Sequence, residues 1–161
     1  MRSHYEIGFM IKKVIFIDEA NTGLSAFAAA LFRKKLLEAG SGIRTDSKGT
    51  VVLFPEPANK KLSDIAPQFG VSLYNHRASQ LCSEDLGEDV LILALDNASK
   101  RLAFTFKEGF ADIFTIREYL GESGDIKLPI GSGADSYEAV CNIINNLLEY
   151  LMEKFKEEGI L

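Results

Sequence analysis

The sequence has no tryptophan, only two histidines, four prolines and two cysteines in 161 residues. Cys82 and Cys141 lie far apart in the chain and form neither a redox pair nor a metal-ligand pair. That excludes a disulfide-stapled scaffold and fits a reducing, cytoplasmic setting. Long hydrophobic runs are also missing. The longest, such as "VLILAL" at 90–95, are far too short to cross a bilayer, and the N-terminus has no apolar core of signal-peptide length. Excess positive charge is absent too: 18 basic against 23 acidic residues give a net charge of -5, which argues against broad electrostatic binding to nucleic acid.

The chain has the length of one domain and a 47% hydrophobic content, enough for a folded core. Residues 1–9, His4 among them, read as a flexible tail or an added leader, since Met10 followed by "IKKVIFI" opens a strand cleanly. Residues 10–161 read as a single domain.

"KKVIFI" (12–17) is a continuous apolar run of strand length, as expected for a strand buried on both faces of a parallel sheet. "LSAFAAALFRKKLLEAG" (24–40) places Phe27, Leu31, Phe32, Leu36 and Leu37 near helical spacing and stops at Gly40. Glycine and two prolines in the stretch 43–61 mark a strand end and an extended loop. "KKLSDIAPQFG" (60–70) predicts a short helix disturbed by Pro67. "DVLILALD" (89–96) is a second buried strand, with helical spacing after it in "NASKRLAFTF". "DIFTIREYL" (112–120) reads as a strand passing into a turn. The segment 135–158 carries Val140, Ile143, Ile144, Leu147, Leu148, Leu151 and Phe155 as the core face of a long amphipathic helix. Strands alternating with helices predict an α/β fold, a central parallel sheet flanked by helices, whose ligands bind beyond the carboxyl ends of the strands. The loop after the first strand, "FIDEANTGLS" (16–25), is therefore the prime place for a site. It is unusual in opening on two carboxylates, Asp18 and Glu19.

The same stretch resembles the first strand, phosphate loop and helix of the low-molecular-weight protein tyrosine phosphatases, whose loop reads C-x5-R-S after an apolar strand. "DSKGTVVLFPEPANKK" (46–61), "FGVSLYNHRASQL" (69–81), "DVLILALD" and "DIKLPIGSGADSYEAV" (125–140) resemble later blocks of that family in the same order. The resemblance implies a cysteine nucleophile, an arginine clamp six residues on, and an aspartate acid on the late loop. At those positions stand Asp18, Leu24 and Leu128. A carboxylate is a poor nucleophile toward a phosphate dianion and repels it. Leucine supplies neither the bidentate guanidinium fork nor a proton. Neither remaining cysteine substitutes, because six residues after Cys82 comes Glu88 and six after Cys141 comes Leu147.

The resemblance also implies a polar network that holds the loop in shape, and Asn21, Ser25, Ser47 and His76 match its positions. The expectation is a degenerate phosphate loop, Asp18, Glu19, Ala20, Asn21, Thr22, Gly23, Leu24 and Ser25, whose shape persists without its reactive groups. This is a pseudophosphatase with a binding or regulatory role toward an unknown protein or small-molecule partner, with no cofactor, no nucleic acid and no membrane. One alternative is a carboxylate- or metal-dependent phosphohydrolase using Asp18 and Glu19; another is a weak residual protein tyrosine phosphatase.

Single residues carry paired readings. Asp18 caps loop N–H groups, or it is a metal ligand, an aspartyl nucleophile or a solvated side chain. Ala20 stands where a D-x-D aspartyl-phosphate motif needs its second aspartate. Glu19 is an exposed loop charge or helps bind a cation. His76 is a structural histidine, or a base or ligand, Arg77 a surface or helix-start residue or an anion clamp, Asp96 a helix-capping or turn residue or a cleft residue, and Phe54 a cleft-mouth or core residue.

Overall fold

In the computed structural model, residues 11–106 and 112–161 are described; the readings of the tail, of His4 and of Met10 lie outside them. Four parallel strands, β1 (Lys13–Asp18), β2 (Arg44–Gly49), β3 (Val90–Ala94) and β4 (Asp112–Thr115), are ordered β2-β1-β3-β4. Chain connection reverses direction between β1 and β3. That opens a crevice beyond their carboxyl ends, where such sheets place ligands. Asp18 ends β1 at that crevice, and Asp96 follows β3.

β1 and β3 are central, which is why "VIFI" and "VLILA" carry apolar side chains to both faces. On one face Val14, Phe16, Leu91 and Leu93 join the main core, and on the other Ile15, Ile17, Ile92 and Ala94 form a second cluster. β2 is an edge strand with the sequence "RTDSKG". It lacks a hydrophobic pattern because only one of its sides is paired along most of its length, and polar side chains guard the edge.

Helix α1 (Leu24–Glu38) is buried along most of its surface between the sheet and the last helix. Edge-on aromatic contacts tie these layers together: Phe16 to Phe32 at 5.7 Å and Phe32 to Phe155 at 5.9 Å between ring centres. Helix α2 (Lys60–Ile65) begins at Asn59, whose side chain accepts the Leu62 N–H. It passes into a 3-10 turn, Ala66–Phe69, as the disturbance at Pro67 predicts.

Helix α3 (Asn97–Thr105) follows β3, and the one-turn α4 (Ile116–Tyr119) follows β4. Where the sequence suggests only a turn at 116–119, Thr115 and Glu118 close a reciprocal capping box. Helix α5 (Ala134–Glu157) buries Tyr137, Val140, Cys141, Ile144, Leu147, Leu148, Leu151 and Phe155.

One assigned core position is corrected: Ile143 is 41% exposed, and Leu37, on the helical spacing of the first helix, is 70% exposed. Each stands about 100° round the helix from a buried neighbour, Leu36 or Ile144, and so falls off the buried stripe. No helix among the described residues is long and apolar enough to cross a membrane.

A carboxylate-filled phosphate loop

Asp18 is the last residue of β1, and the chain turns through residues 19–23 before α1 begins. Gly23 stands at the N-cap of α1 and has no side chain to cap it. Asp18 does that work from below: its Oδ2 accepts the Ser25 N–H at 3.0 Å and its Oδ1 accepts the Asn21 N–H at 2.8 Å. A negative group at a helix N-terminus is favoured by the helix dipole as well as by these donors. Burial nevertheless dominates and raises the Asp18 pKa above its ordinary value, against the lowering effect of the Ser25 and Asn21 hydrogen bonds; the nearby Asp96 charge adds to the rise.

Asn21 fixes the shape of the turn. It is fully buried and holds a left-handed backbone, φ 57°, the only such non-glycine among the described residues. Asparagine tolerates that conformation better than most residues. Its Nδ2 donates to Ser25 Oγ at 3.0 Å, its Oδ1 accepts the Ser79 N–H at 2.9 Å, and its carbonyl meets His76 Nε2 at 2.5 Å. His76 is half-buried and its ring meets that carbonyl across 55 residues of chain. Ser47 is buried on β2, with its N–H on Asp46 Oδ1, and shares with His76 a cavity behind the loop. Ser79 is a member of this arrangement that the sequence reading misses. It contributes through its backbone N–H, which leaves no signal in residue type.

Above Asp18 lies a cavity of about 260 Å³ walled by loop residues on one side and by Ile126, Lys127, Leu128 and Ile130 on the other. Leu24 lines it but is 2% exposed and belongs to the main core. Leu128 packs tightly over the loop: a Cβ built on Gly23 would come within 2.4 Å of Leu128 Cδ1. Among the described residues, the N–H groups of Glu19, Ala20, Thr22 and Gly23 find no acceptor.

Asp96 both lines this cavity and caps α3, accepting the Ser99 N–H at 2.7 Å. Glu19 is exposed at its edge. Asp18, Glu19 and Asp96 do not converge: among the described residues no group of three potential ligand side chains could hold a metal ion. Arg77 is exposed and bonds to the His76 carbonyl at 2.7 Å, away from the cavity lining. Phe54 is 68% exposed, which excludes a core role; with Val51 and Leu53 it sits on the segment that Thr50 and Val51 anchor to the carbonyls of Asp18 and Glu19.

Residues 13–160 match the family model described as low molecular weight phosphotyrosine protein phosphatase. The chain belongs to that family. A low-molecular-weight protein-tyrosine-phosphatase, PtpB, from Staphylococcus epidermidis is 29% identical over 146 residues, spanning 91% of this chain and 99% of the relative. The low-molecular-weight protein tyrosine phosphatase structure from T. tengcongensis superposes with a TM-score of 0.82 at 29% identity, covering 88% of this chain and 98% of that one. The YwlE arginine phosphatase from Geobacillus stearothermophilus superposes with a TM-score of 0.77 at 27% identity, covering 91% and 94%. Within this phosphatase fold, the loop between β1 and α1 is thus built around an aspartate.

Proposed function

We propose that this member of the phosphatase family performs no thiolate chemistry and serves as a binding module. The observation that carries the reading is Asp18 folded inward onto the Asn21 and Ser25 N–H groups. Those donors hold the protein's own carboxylate in place. That carboxyl group underlies the very cavity that a phosphate dianion would enter, and Asp96 and Glu19 at the same cavity add repulsion.

Chemistry of another kind lacks its parts. A divalent metal has no three-ligand cluster among the described residues, and Leu24 and Leu128 offer neither a clamp nor a proton donor. The lining instead suits a partner's side chain with an apolar stem and a neutral or positive end. Leu24, Ile126, Leu128 and Ile130 give apolar walls, while Asp18, Glu19 and Asp96 outnumber the single Lys127. Exposed Leu53 and Phe54, which do not line the cavity, add further apolar surface, in keeping with contact to a protein. The related tyrosine and arginine phosphatases share the fold, and the proposal keeps their recognition face without their reaction.

Titration with orthovanadate at neutral pH, followed through the amide signals of Glu19 to Ser25, tests this reading. Unmoved signals up to millimolar vanadate support it, and a saturable shift of the loop signals at micromolar vanadate overturns it.

A further inference from the structure

A second cavity, of about 250 Å³, lies behind the loop. Its floor is the small-residue side of α1, where Ala26, Ala29 and Ala30 leave room that larger side chains would fill. Its walls come from Asp46 and Ser47 of β2 and from the segment 72–76. Two groups in it have unspent hydrogen-bonding capacity. Arg33 donates one N–H to the Thr45 carbonyl at 2.9 Å, which fixes the guanidinium across the sheet edge, and it pairs with no carboxylate among the described residues. A guanidinium has five donors, so most of its fork is available. Ser47 is 6% exposed, and its hydroxyl bonds to no described residue.

The charge around the cavity favours an anion. Asp46 is the one acidic group in the lining, and it is already engaged: Oδ1 accepts the Ser47 N–H at 2.8 Å, and Oδ2 lies 3.9 Å from Lys13 Nζ and 4.0 Å from Lys48 Nζ. Arg33 is left as the uncompensated charge, with hydroxyl and amide donors from Ser47, Ser72 and Asn75 beside it. His76 lines the same cavity and touches the Asn21 carbonyl, so this wall of the cavity is directly joined to the loop.

We propose that this rear cavity is a binding site for a small oxyanion, a phosphate or carboxylate group held by Arg33 and Ser47, and that its occupancy reaches the front loop through His76 and Asn21. The site shares no ligand group with the Asp18 loop. An anion accepts from the guanidinium fork of exposed Arg33 and from the Ser47 hydroxyl, two donors with capacity that no described residue takes up. Its size, below that of typical drug-sized pockets, suits a free anion or a compact metabolite.

The test is a titration of the full chain with inorganic phosphate and, separately, with succinate, read by amide chemical shifts. Saturable shifts at Ser47, Asn75 and His76, followed by smaller ones at Asn21, support the proposal; the tighter of the two anions names the source of the group. Arg33→Met keeps the aliphatic stem and is expected to weaken binding at least tenfold, and Asn75→Ala, at an exposed position, to weaken it two- to fivefold. Absence of saturation with both anions overturns the proposal, as does saturation that Arg33→Met leaves unchanged. Shifts confined to Glu19–Leu24 also overturn it and count instead against the front-loop reading, so the two failures are distinguishable.

Discussion

Asp18 caps a helix that begins six residues after it: its Oδ2 accepts the N–H of Ser25, the second residue of α1, at 3.0 Å. A side chain at the end of a strand thereby closes the turn into the helix, where Gly23 has none to offer. Replacing it by alanine leaves the Asn21 and Ser25 donors without their acceptor. Urea unfolding of Asp18→Ala is expected to show a loss of about 1–3 kcal/mol, with Asp18→Asn losing less because its amide oxygen can still accept one of the two bonds.

The raised pKa of Asp18 gives this contact a pH signature. Just above the ordinary carboxylate value of 3.8 the unfolded chain releases the proton while the folded chain still holds it. The stabilising contribution of the protonated group is therefore complete below that value and is lost as pH rises through the folded pKa. Asp18→Asn does not titrate. The stability difference between the variant and the parent should move in the variant's favour as pH rises across that window, and denaturant midpoints collected from acid to neutral pH check it.

Asn21 combines a left-handed backbone with four hydrogen-bonded groups, two of them on its side chain. Asn21→Ala removes the side-chain bonds and strains the backbone, for an expected loss of about 3 kcal/mol or more; Asn21→Gly removes the same bonds without the strain, so it should recover about 1 kcal/mol of that loss. Equal losses in the two variants would mean that the backbone conformation contributes nothing.

Leu128 over Gly23 predicts coupling between two positions that are distant in sequence. Gly23→Ala must displace the Leu128 side chain, since its new Cβ would lie 2.4 Å from Cδ1. In a Leu128→Ala background that conflict disappears. A double-mutant cycle on thermal or urea stability should therefore return an interaction of about 0.5–1 kcal/mol, and additivity would show that the leucine does not cover the loop.

Much of the fold is legible in the sequence because central strands of a parallel sheet are apolar on both faces. "VIFI" and "VLILA" need no further signal, and the long α5 follows from its spacing. β2 is hard to read for the opposite reason: as an edge strand, "RTDSKG" carries charges that protect it and no pattern that announces it. At the site, Asp18, Asn21 and Ser25 are legible because one short turn holds all three. The Ser79 N–H is not, since it reaches Asn21 from 58 residues away through an atom common to every amino acid but proline. Arg33 hides in the same way. On the sequence it is one basic residue near a helix end, and only the packing of β2 against α1 places its guanidinium at a cavity.

The measurement that bears most directly on the central claim is aryl phosphate turnover at neutral pH, with and without magnesium or manganese. The account predicts a rate indistinguishable from buffer in every condition, because Asp18 stands where the family resemblance places the nucleophile and Leu24 and Leu128 stand where it places the clamp and the acid. Turnover that Asp18→Asn abolishes would contradict it.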